Sequence, residues 1–308
     1  MIVEVNNLKK SYGKHKVLND LSFKIEKPQV LALIGPNGSG KSTLMNCMMN
    51  LISFDSGEIE ILGKSNKNYE IFREVSFLKD NRVLYPYLTG FDHLKYICDI
   101  QKISQERIDQ VIELADIRSF YKKIVSSYSL GMKQRLLLAM ALCNNPKLIL
   151  MDEPLNGLDT DSIFKFRDLI KNLGENNTTI LISSHSLNEL DYITNDILFL
   201  KDGSVIYEDI EIYKQTEYRI FLENSDDMKV LQNFLDTNSE NIKYQIKEAE
   251  NSIIFNLPDS KINQVLSFIY ENNIKIKKIL AKTYGAEDRY RKIFDLYWIF
   301  KFRIYLLF

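Results

Sequence analysis

The stretch VLALIGPNGSGKST, residues 30–43, decides the fold, because a short apolar run leads into a glycine-rich loop and then into a helix-favouring segment. The loop fits the pattern G-x-x-x-x-G-K-[ST], in which backbone N–H groups at the start of a helix surround a phosphate. Lys41 is predicted to reach the β- and γ-phosphates, and the Ser42 hydroxyl to ligate Mg²⁺. The complete set of predicted phosphate-binding residues is Gly35, Pro36, Asn37, Gly38, Ser39, Gly40, Lys41, Ser42 and Thr43.

Two carboxylates follow a second apolar run in LILMDEP, residues 148–154. Sheets of parallel strands bind ligands at the carboxyl ends of the strands, so an acidic pair at that point indicates a site. Asp152 is predicted to hold Mg²⁺, and Glu153 to polarise the water that attacks the γ-phosphate. His185, in SSHSLNEL after the next apolar run, is predicted to emerge at the same edge and contact the γ-phosphate.

The composition is that of a globular protein with room for one large domain and a smaller one: 308 residues, 45% hydrophobic and 26% charged. The formal net charge of -1 gives no bulk attraction for nucleic acid, so none is expected as a partner. The three cysteines, an odd number and widely spaced, indicate core packing in a reducing compartment. With no apolar leader and no run of about 20 apolar residues, a cytoplasmic location is expected. His15 and His93 lack the context of His185 and are interpreted as surface residues.

The apolar pattern divides the chain into parts. Residues 1–212 are predicted to be α/β, with a mostly parallel sheet and a helical subdomain over about 89–130. Residues 215–285 alternate in the order βαββαβ, which is the arrangement of a small α+β ferredoxin-like domain. Residues 286–308 are apolar and aromatic, and core packing, an interfacial segment and a gene-boundary artefact all remain open for them.

A second anion-binding element is indicated by SSYSLGMKQR, residues 126–135, where hydroxyl residues and a glycine precede a basic helical run. With this element the chain resembles the ATP-binding subunit of an ABC transporter, a P-loop NTPase cassette, over nearly all of residues 1–210. YSLGMKQ matches the family's signature motif, usually LSGGQ. Tyr12 stands where an aromatic residue of the family stacks on adenine. Asp159 in LNGLD is the characteristic acid of the loop at the dimer interface.

The resemblance explains why one chain carries two phosphate-binding elements. In the family two cassettes face each other head to tail, and the signature loop of one closes on ATP held by the other. Ser129 and the backbone N–H of Gly131 are therefore expected to contact the partner's nucleotide in trans. Leu130 departs from the more usual glycine. Asp80 stands where the family has a glutamine, and it keeps a hard oxygen for Mg²⁺ although it is shorter and charged.

The form YSLGMKQR and the βαββαβ region resemble the exporter branch associated with bacitracin, lantibiotic and other peptide or drug resistance. The resemblance implies an ATPase that uses ATP and Mg²⁺ to power a polytopic membrane permease, most simply as a homodimer of cassettes at the inner face of the membrane. Permease docking is predicted between Asp80 and Phe91, where Tyr85, Tyr87 and Leu88 surround a proline.

Two other functions remain as alternatives. A soluble ABC-type ATPase acting on ribosomes or DNA would carry two cassettes, basic linkers or long coiled coils, and this sequence has one cassette and neither insertion. A non-catalytic nucleotide-binding module would be favoured if Glu153 or His185 were missing, and both are present.

Overall fold

In the computed structural model, which describes residues 1–185, 187–210, 216–238, 244–257, 259–283 and 285–294, the chain divides into two units, residues 1–208 and 209–308. Most of the apolar tail, residues 295–308, lies outside the described residues. Among the described residues, no helix combines the length and the apolar character needed to cross a membrane.

Two sheets form the first unit. Its strands are β1 (Val3–Tyr12), β2 (His15–Ile25), β3 (Val30–Ile34), β4 (Ser56–Ile61), β5 (Lys64–Ser65), β6 (Val75–Leu78), β7 (Leu148–Asp152), β8 (Thr179–Ser183), β9 (Asp196–Lys201) and β10 (Ser204–Asp209). One sheet has the order β2–β1–β4–β5 with antiparallel pairing, and the other has the order β10–β9–β3–β8–β7–β6. In the second sheet β6 to β9 and β3 are parallel neighbours, so the carboxyl ends of β3, β7 and β8 lie at one edge.

Three helices of the first unit begin after residues whose side chains cap them. The helices of this unit are α1 (Lys41–Met48), α2 (Gly90–Gln101), α3 (Gln105–Leu114), α4 (Leu130–Leu142), α5 (Thr160–Glu175) and α6 (Leu187–Leu190). Thr89 and Asp92 form a reciprocal capping box at the start of α2. Ser129 and Asp159 accept hydrogen bonds from first-turn N–H groups of α4 and α5. Caps of this kind each stabilise a helix by about 0.5–2 kcal/mol.

The parallel strands are buried on both faces, as continuous apolar runs predict. Leu148 to Met151 are each 0% exposed, and Leu31, Leu150 and Leu181 pack in one cluster with Leu44 of α1. All three cysteines of the chain are also buried as free thiols. Burial raises the pKa of the Cys47 thiol to about 11, and it raises the pKa values of the Cys98 and Cys143 thiols as well.

His93 is buried in α2, so its interpretation as a surface residue is wrong. Its Nδ1 lies 2.7 Å from the carbonyl oxygen of Thr89, and its Nε2 accepts a hydrogen bond of 2.9 Å from the backbone N–H of Tyr85. Since a carbonyl can only accept, Nδ1 carries the hydrogen and the imidazole is neutral. The side chain thereby satisfies backbone groups of the loop at 85–89. The sequence pattern gave no sign of which face of α2 would carry this residue.

The second unit is a four-stranded antiparallel sheet with helices. Its elements are β11 (Thr216–Leu222), α7 (Ser225–Asn238), β12 (Tyr244–Lys247), β13 (Ser252–Leu257), α8 (Asp259–Glu271), β14 (Ile276–Thr283) and α9 (Ala286–Ile293). The predicted βαββαβ order is present and is followed by α9. The strand order is β12–β13–β11–β14. Alternate residues of β11 are buried, and Ile220 packs in one cluster with Leu231 of α7 and Ile269 of α8.

Candidate active site

The glycine-rich loop at 35–40 joins β3 to α1 and is shaped by its glycines. Gly38 and Gly40 have φ of +81° and +107°, in the left-handed region that favours glycine. A Cβ on Gly40 would lie 2.8 Å from Val17 Cγ1, and one on Gly35 would lie 2.7 Å from the Leu200 carbonyl oxygen. Because Gly40 has no side chain to cap α1, the first-turn N–H groups of that helix are available to an anion.

Two buried polar groups lie at this loop, the Lys41 side chain at the start of α1 and the Ser39 hydroxyl. Lys41 is 7% exposed, and its Nζ donates hydrogen bonds of 2.7 Å and 3.3 Å to the carbonyl oxygens of Gly35 and Pro36. Burial lowers the pKa of Lys41, while the nearby carboxylates of Glu153 and Asp152 oppose that shift. Ser39 Oγ is buried with no hydrogen-bond partner among the described residues. The loop therefore holds a cation and a spare hydroxyl where it would surround a phosphate.

Asp152 and Glu153 are held by a residue that the sequence did not single out. The hydroxyl of Ser183, at the end of β8, donates a hydrogen bond of 2.8 Å to Asp152 Oδ1 and accepts one of 2.9 Å from the backbone N–H of Glu153. Ser183 is 0% exposed and pairs with Asp152 across the parallel strands β7 and β8. Glu153 has φ of +50°, which is costly for a residue with a side chain, so this bond fixes an unfavourable backbone conformation.

The structure brings His185 and Glu153 together. His185 Nδ1 lies 2.8 Å from Glu153 Oε2, and the His185 backbone N–H donates to the same oxygen at 3.2 Å. Oε1 of the carboxylate lies 3.9 Å from Lys41 Nζ. With the hydrogen on Nδ1, His185 orients the carboxylate and leaves Nε2 to face a ligand.

These groups line two adjoining cavities. One, of about 520 Å³, is bounded by the glycine-rich loop, Glu153 and His185, and also by His15 and Asn156. The other, of about 480 Å³, is lined by Ser42, Asp80, Asp152 and Glu153 together with Arg82 and Gln134. Ser42, Glu153 and Asn156 line both cavities. Volumes of this size are typical of sites for small molecules.

A Mg²⁺ ion fits the donors of the second cavity. Ser42, Asp152 and Asp80 supply the hard oxygens that Mg²⁺ prefers. The described residues form no cluster of three or more His, Cys, Asp or Glu side chains able to hold a metal by themselves. The ion would therefore take its remaining ligands from water and from the phosphates, as is usual for Mg²⁺ at nucleotide sites.

The carboxylate of Asp80 is bound by the side chain of Arg82. The guanidinium donates from Nε to Oδ1 at 2.9 Å and from Nη2 to Oδ2 at 2.7 Å, and the Arg82 backbone N–H also bonds Oδ1 at 3.0 Å. The Arg82 side chain lowers the pKa of Asp80 to about 2. To ligate a metal directly, Asp80 would have to give up part of this bidentate contact.

Ser129, Gly131 and Asp159 lie together on the same chain. Ser129 Oγ accepts from the Met132 N–H at 3.2 Å, and Asp159 Oδ1 accepts from the Ser162 N–H at 2.8 Å. A Cβ on Gly131 would lie 2.6 Å from Ser162 Oγ. The signature-like segment therefore packs on the start of α5, a contact that the sequence did not reveal.

Leu130 packs on a neighbouring loop, and Tyr12 is exposed and lies outside the 520 Å³ cavity. A Cβ on Gly157 would lie 2.6 Å from Leu130 Cδ2, so Leu130 packs on the loop that precedes Asp159. Tyr12 is 53% exposed at the end of β1, with Lys10 Nζ 4.9 Å from the centre of its ring. Tyr12 does not line the 520 Å³ cavity, whereas His15, its partner in the β1–β2 register, does.

Comparison with known proteins links this site to a family. The family model described as "ABC transporter" matches residues 18–156. The uncharacterised ABC transporter ATP-binding protein YdbJ of Bacillus subtilis is 31% identical over 296 residues, covering 94% of each chain. The lantibiotic transport ATP-binding protein SrtF of Streptococcus pyogenes is 38% identical over 207 residues, 67% of this chain and 90% of SrtF.

A further relative and a solved structure extend the comparison. The bacitracin transport ATP-binding protein BcrA of Enterococcus faecalis is 29% identical over 95% of this chain and 96% of its own. A dimeric structure of the ATP-binding cassette MJ0796 in a post-hydrolysis state, bound to ADP and Pi, superposes with a TM-score of 0.62. It is 28% identical and covers 68% of this chain and 99% of its own.

Proposed function

The chain belongs to the ATP-binding proteins of ABC transporters, and from that premise we propose that it powers export of a peptide antibiotic or drug by ATP-driven closure of two cassettes on a membrane permease. It is an ATPase, with the cassette fold of that family in its first unit. The observation that carries the proposal is the convergence of Lys41, Glu153 and His185 on one cavity with the glycine-rich loop.

Each of these groups has a separate role in the proposed hydrolysis of ATP. Glu153 takes a proton from the attacking water, whose oxygen bonds to the γ-phosphorus as the bond to the β–γ bridging oxygen breaks. His185 holds the carboxylate in place, and Lys41 stabilises negative charge on the phosphates. Bound Mg²⁺, held by Ser42 and Asp152, would supply Lewis-acid stabilisation of the phosphate oxygens.

Dimer closure is expected to use Ser129 in trans. Replacing Glu153 by Gln removes the base but keeps the phosphate contacts, so ATP should persist and hold two copies together. In that background Ser129→Asp would bring a carboxylate to the partner's γ-phosphate, whereas Ser129→Asn would not. Both replacements are good N-caps for α4, so the chain's own helix keeps its start. Gly131 is a poorer choice because any Cβ there would meet Ser162 of the same chain.

Size-exclusion chromatography with ATP separates these cases. We expect a dimer for Glu153→Gln and for its combination with Ser129→Asn, and a monomer that still binds ATP for the combination with Ser129→Asp. A dimer formed equally by the Asp and Asn variants would overturn the role of this residue in trans.

Permease docking is supported by the loop at 85–89. Tyr85 and Tyr87 are 49% and 71% exposed, a composition suited to a protein contact. Backbone N–H groups of Val125 and Ser126, just before the signature-like segment, donate to carbonyl oxygens of this loop at 2.9 Å and 2.8 Å. The 85–89 loop is therefore joined by hydrogen bonds to the segment that leads into Ser129, so a partner bound at the loop would contact a surface connected to that residue.

Photocrosslinking tests the docking surface in native membranes. A photoreactive residue at Tyr85 should capture a polytopic membrane protein, while the same residue at Tyr192, which is 61% exposed, should not. Equal capture from both positions would contradict docking at the loop. Such docking would hold the protein at the inner face of the cell membrane.

The transported class is inferred from the relatives. SrtF and BcrA are named for lantibiotic and bacitracin transport, which favours peptide antibiotics over action on ribosomes or DNA. Cells lacking the protein should become more sensitive to such peptides, and the wild-type chain, but not Lys41→Ala, should restore resistance. Unchanged sensitivity to lantibiotics, bacitracin and related drugs would contradict this assignment.

A further inference from the structure

His15 lies on the wall of the 520 Å³ cavity, which Glu153 and His185 also line. We propose that His15 is a further nucleotide-binding residue, which donates a hydrogen bond to the α-phosphate of ATP. The proposal rests on ATP occupying this cavity. It adds a contact outside the glycine-rich loop, from the β1–β2 hairpin.

The hairpin brings His15 to the loop through an irregular register. Pairing between β1 and β2 passes from Ser11↔Lys16 to Lys10↔Leu18, so Val17 is the extra residue of β2. Val17 Cγ1 comes within 2.8 Å of where a Cβ on Gly40 would lie. The start of β2 is thereby packed against the end of the glycine-rich loop, and both His15 and Val17 line the cavity.

The position of His15 along the nucleotide follows from its neighbours. On one side it pairs with Tyr12, which the family resemblance leads us to expect to stack on adenine. On the other side is the loop that would hold the β- and γ-phosphates through Lys41 and backbone N–H groups. The atoms of ATP between those two points are the ribose and the α-phosphate.

The chemistry of His15 suits a phosphate oxygen. Among the described residues the side chain of His15 has no hydrogen-bond partner and no ion pair, so its ring nitrogens are available. Its side chain is exposed, and the wall of the same cavity carries the charged Lys41 and Glu153 as well as the uncharged Asn37 and Asn156. A donor placed against an anionic oxygen forms a charge-assisted bond, stronger than one between neutral groups.

Competition against a fluorescent ATP analogue tests this assignment with ATP, AMP, adenosine and tripolyphosphate as probes. His15→Ala should weaken ATP and AMP by about tenfold or more, the effect of losing a bond to a charged group. Tripolyphosphate binding should not change, because the loop and Lys41 hold it. Adenosine binding should not change either, since it has no phosphate. His15→Lys, which keeps a donor, should recover much of the affinity for AMP.

Matched variants separate the possible failures. Lys16→Ala, on the same strand but outside the cavity wall, should leave all four affinities unchanged. Lys41→Ala should lose tripolyphosphate and ATP, and if it does not, the site itself is misassigned. The His15 proposal is overturned if His15→Ala matches Lys16→Ala, if it weakens adenosine as much as AMP, or if it weakens tripolyphosphate.

Discussion

Replacing Ser183 by Ala removes one hydroxyl group, and we expect it to lower both the free energy of unfolding and kcat for ATP hydrolysis. The hydroxyl bridges Asp152 Oδ1, at 2.8 Å, and the backbone N–H of Glu153, at 2.9 Å. The variant loses a hydrogen bond to a carboxylate, about 1.5–3 kcal/mol, and leaves the Glu153 N–H without its partner, about 1–3 kcal/mol. Glu153 is partly accessible, so water can recover some of the second amount. We expect a net loss of about 2–3 kcal/mol in the free energy of unfolding.

The larger consequence is for the rate. Glu153 has φ of +50°, and without the bond to Ser183 its backbone can relax toward a more favourable conformation. The carboxylate would then leave the position set by His185 and Lys41. If about 1.4 kcal/mol of the lost energy appears in the barrier, kcat falls about tenfold. KM for ATP should change little, because the glycine-rich loop is untouched.

Thr194 offers the matched control for this experiment. Its Oγ1 donates to the Val30 carbonyl oxygen at 2.6 Å and accepts from the Asp196 N–H at 3.1 Å, so Thr194→Ala removes a similar bridging hydroxyl away from the carboxylates. Urea unfolding and steady-state ATP hydrolysis should be measured for both variants. If Ser183→Ala and Thr194→Ala lose similar stability and keep similar kcat, the reasoning about Glu153 is refuted.

Three further predictions concern separate parts of the chain. Lys41→Ala should abolish measurable ATP binding in a calorimetric titration, because the phosphates lose their main cation; unchanged affinity would misplace the site. Arg82→Ala should raise the pKa of Asp80 from about 2 toward about 4, as followed by NMR of the carboxyl group, and an unshifted value would mean that Arg82 is not its cause. Because the folded pKa is lowered, this pair stabilises the protein above about pH 4 and ceases to do so as pH falls to about 2. A chain ending at Ile210 should bind ATP as the full chain does, since no phosphate-binding motif follows, and a soluble truncation that fails to bind would count against that boundary.

The parts of the site that follow from local sequence could be predicted. The glycine-rich loop has its spacing because the backbone must turn at Gly38 and Gly40, and that requirement is visible in the residues themselves. The acidic pair could be placed because it ends a fully apolar run. Both features depend on segments of fewer than about ten residues, where pattern and structure correspond closely.

The features that depend on pairing between distant segments could not be predicted. The Ser183 bridge requires the register between β7 and β8, which fixes Asp152 opposite Ser183. The contact of Gly131 with Ser162 requires the arrangement of α4 against α5. The bidentate bond of Arg82 to Asp80 joins near neighbours, but it depends on the backbone turn at 81–83. In each case the sequence shows which residues are present, but it does not show which of them come within hydrogen-bonding or packing distance.

The burial of every native thiol makes the protein suited to site-specific spectroscopic labelling. Thiol-reactive probes attack the thiolate, and burial both excludes the reagent from Cys47, Cys98 and Cys143 and raises their pKa values. A single cysteine introduced at an exposed position such as Tyr87 would therefore be modified selectively without first removing the others. Fluorophores or spin labels attached in this way can follow the 85–89 loop during a cycle of ATP hydrolysis, with the buried core left unchanged.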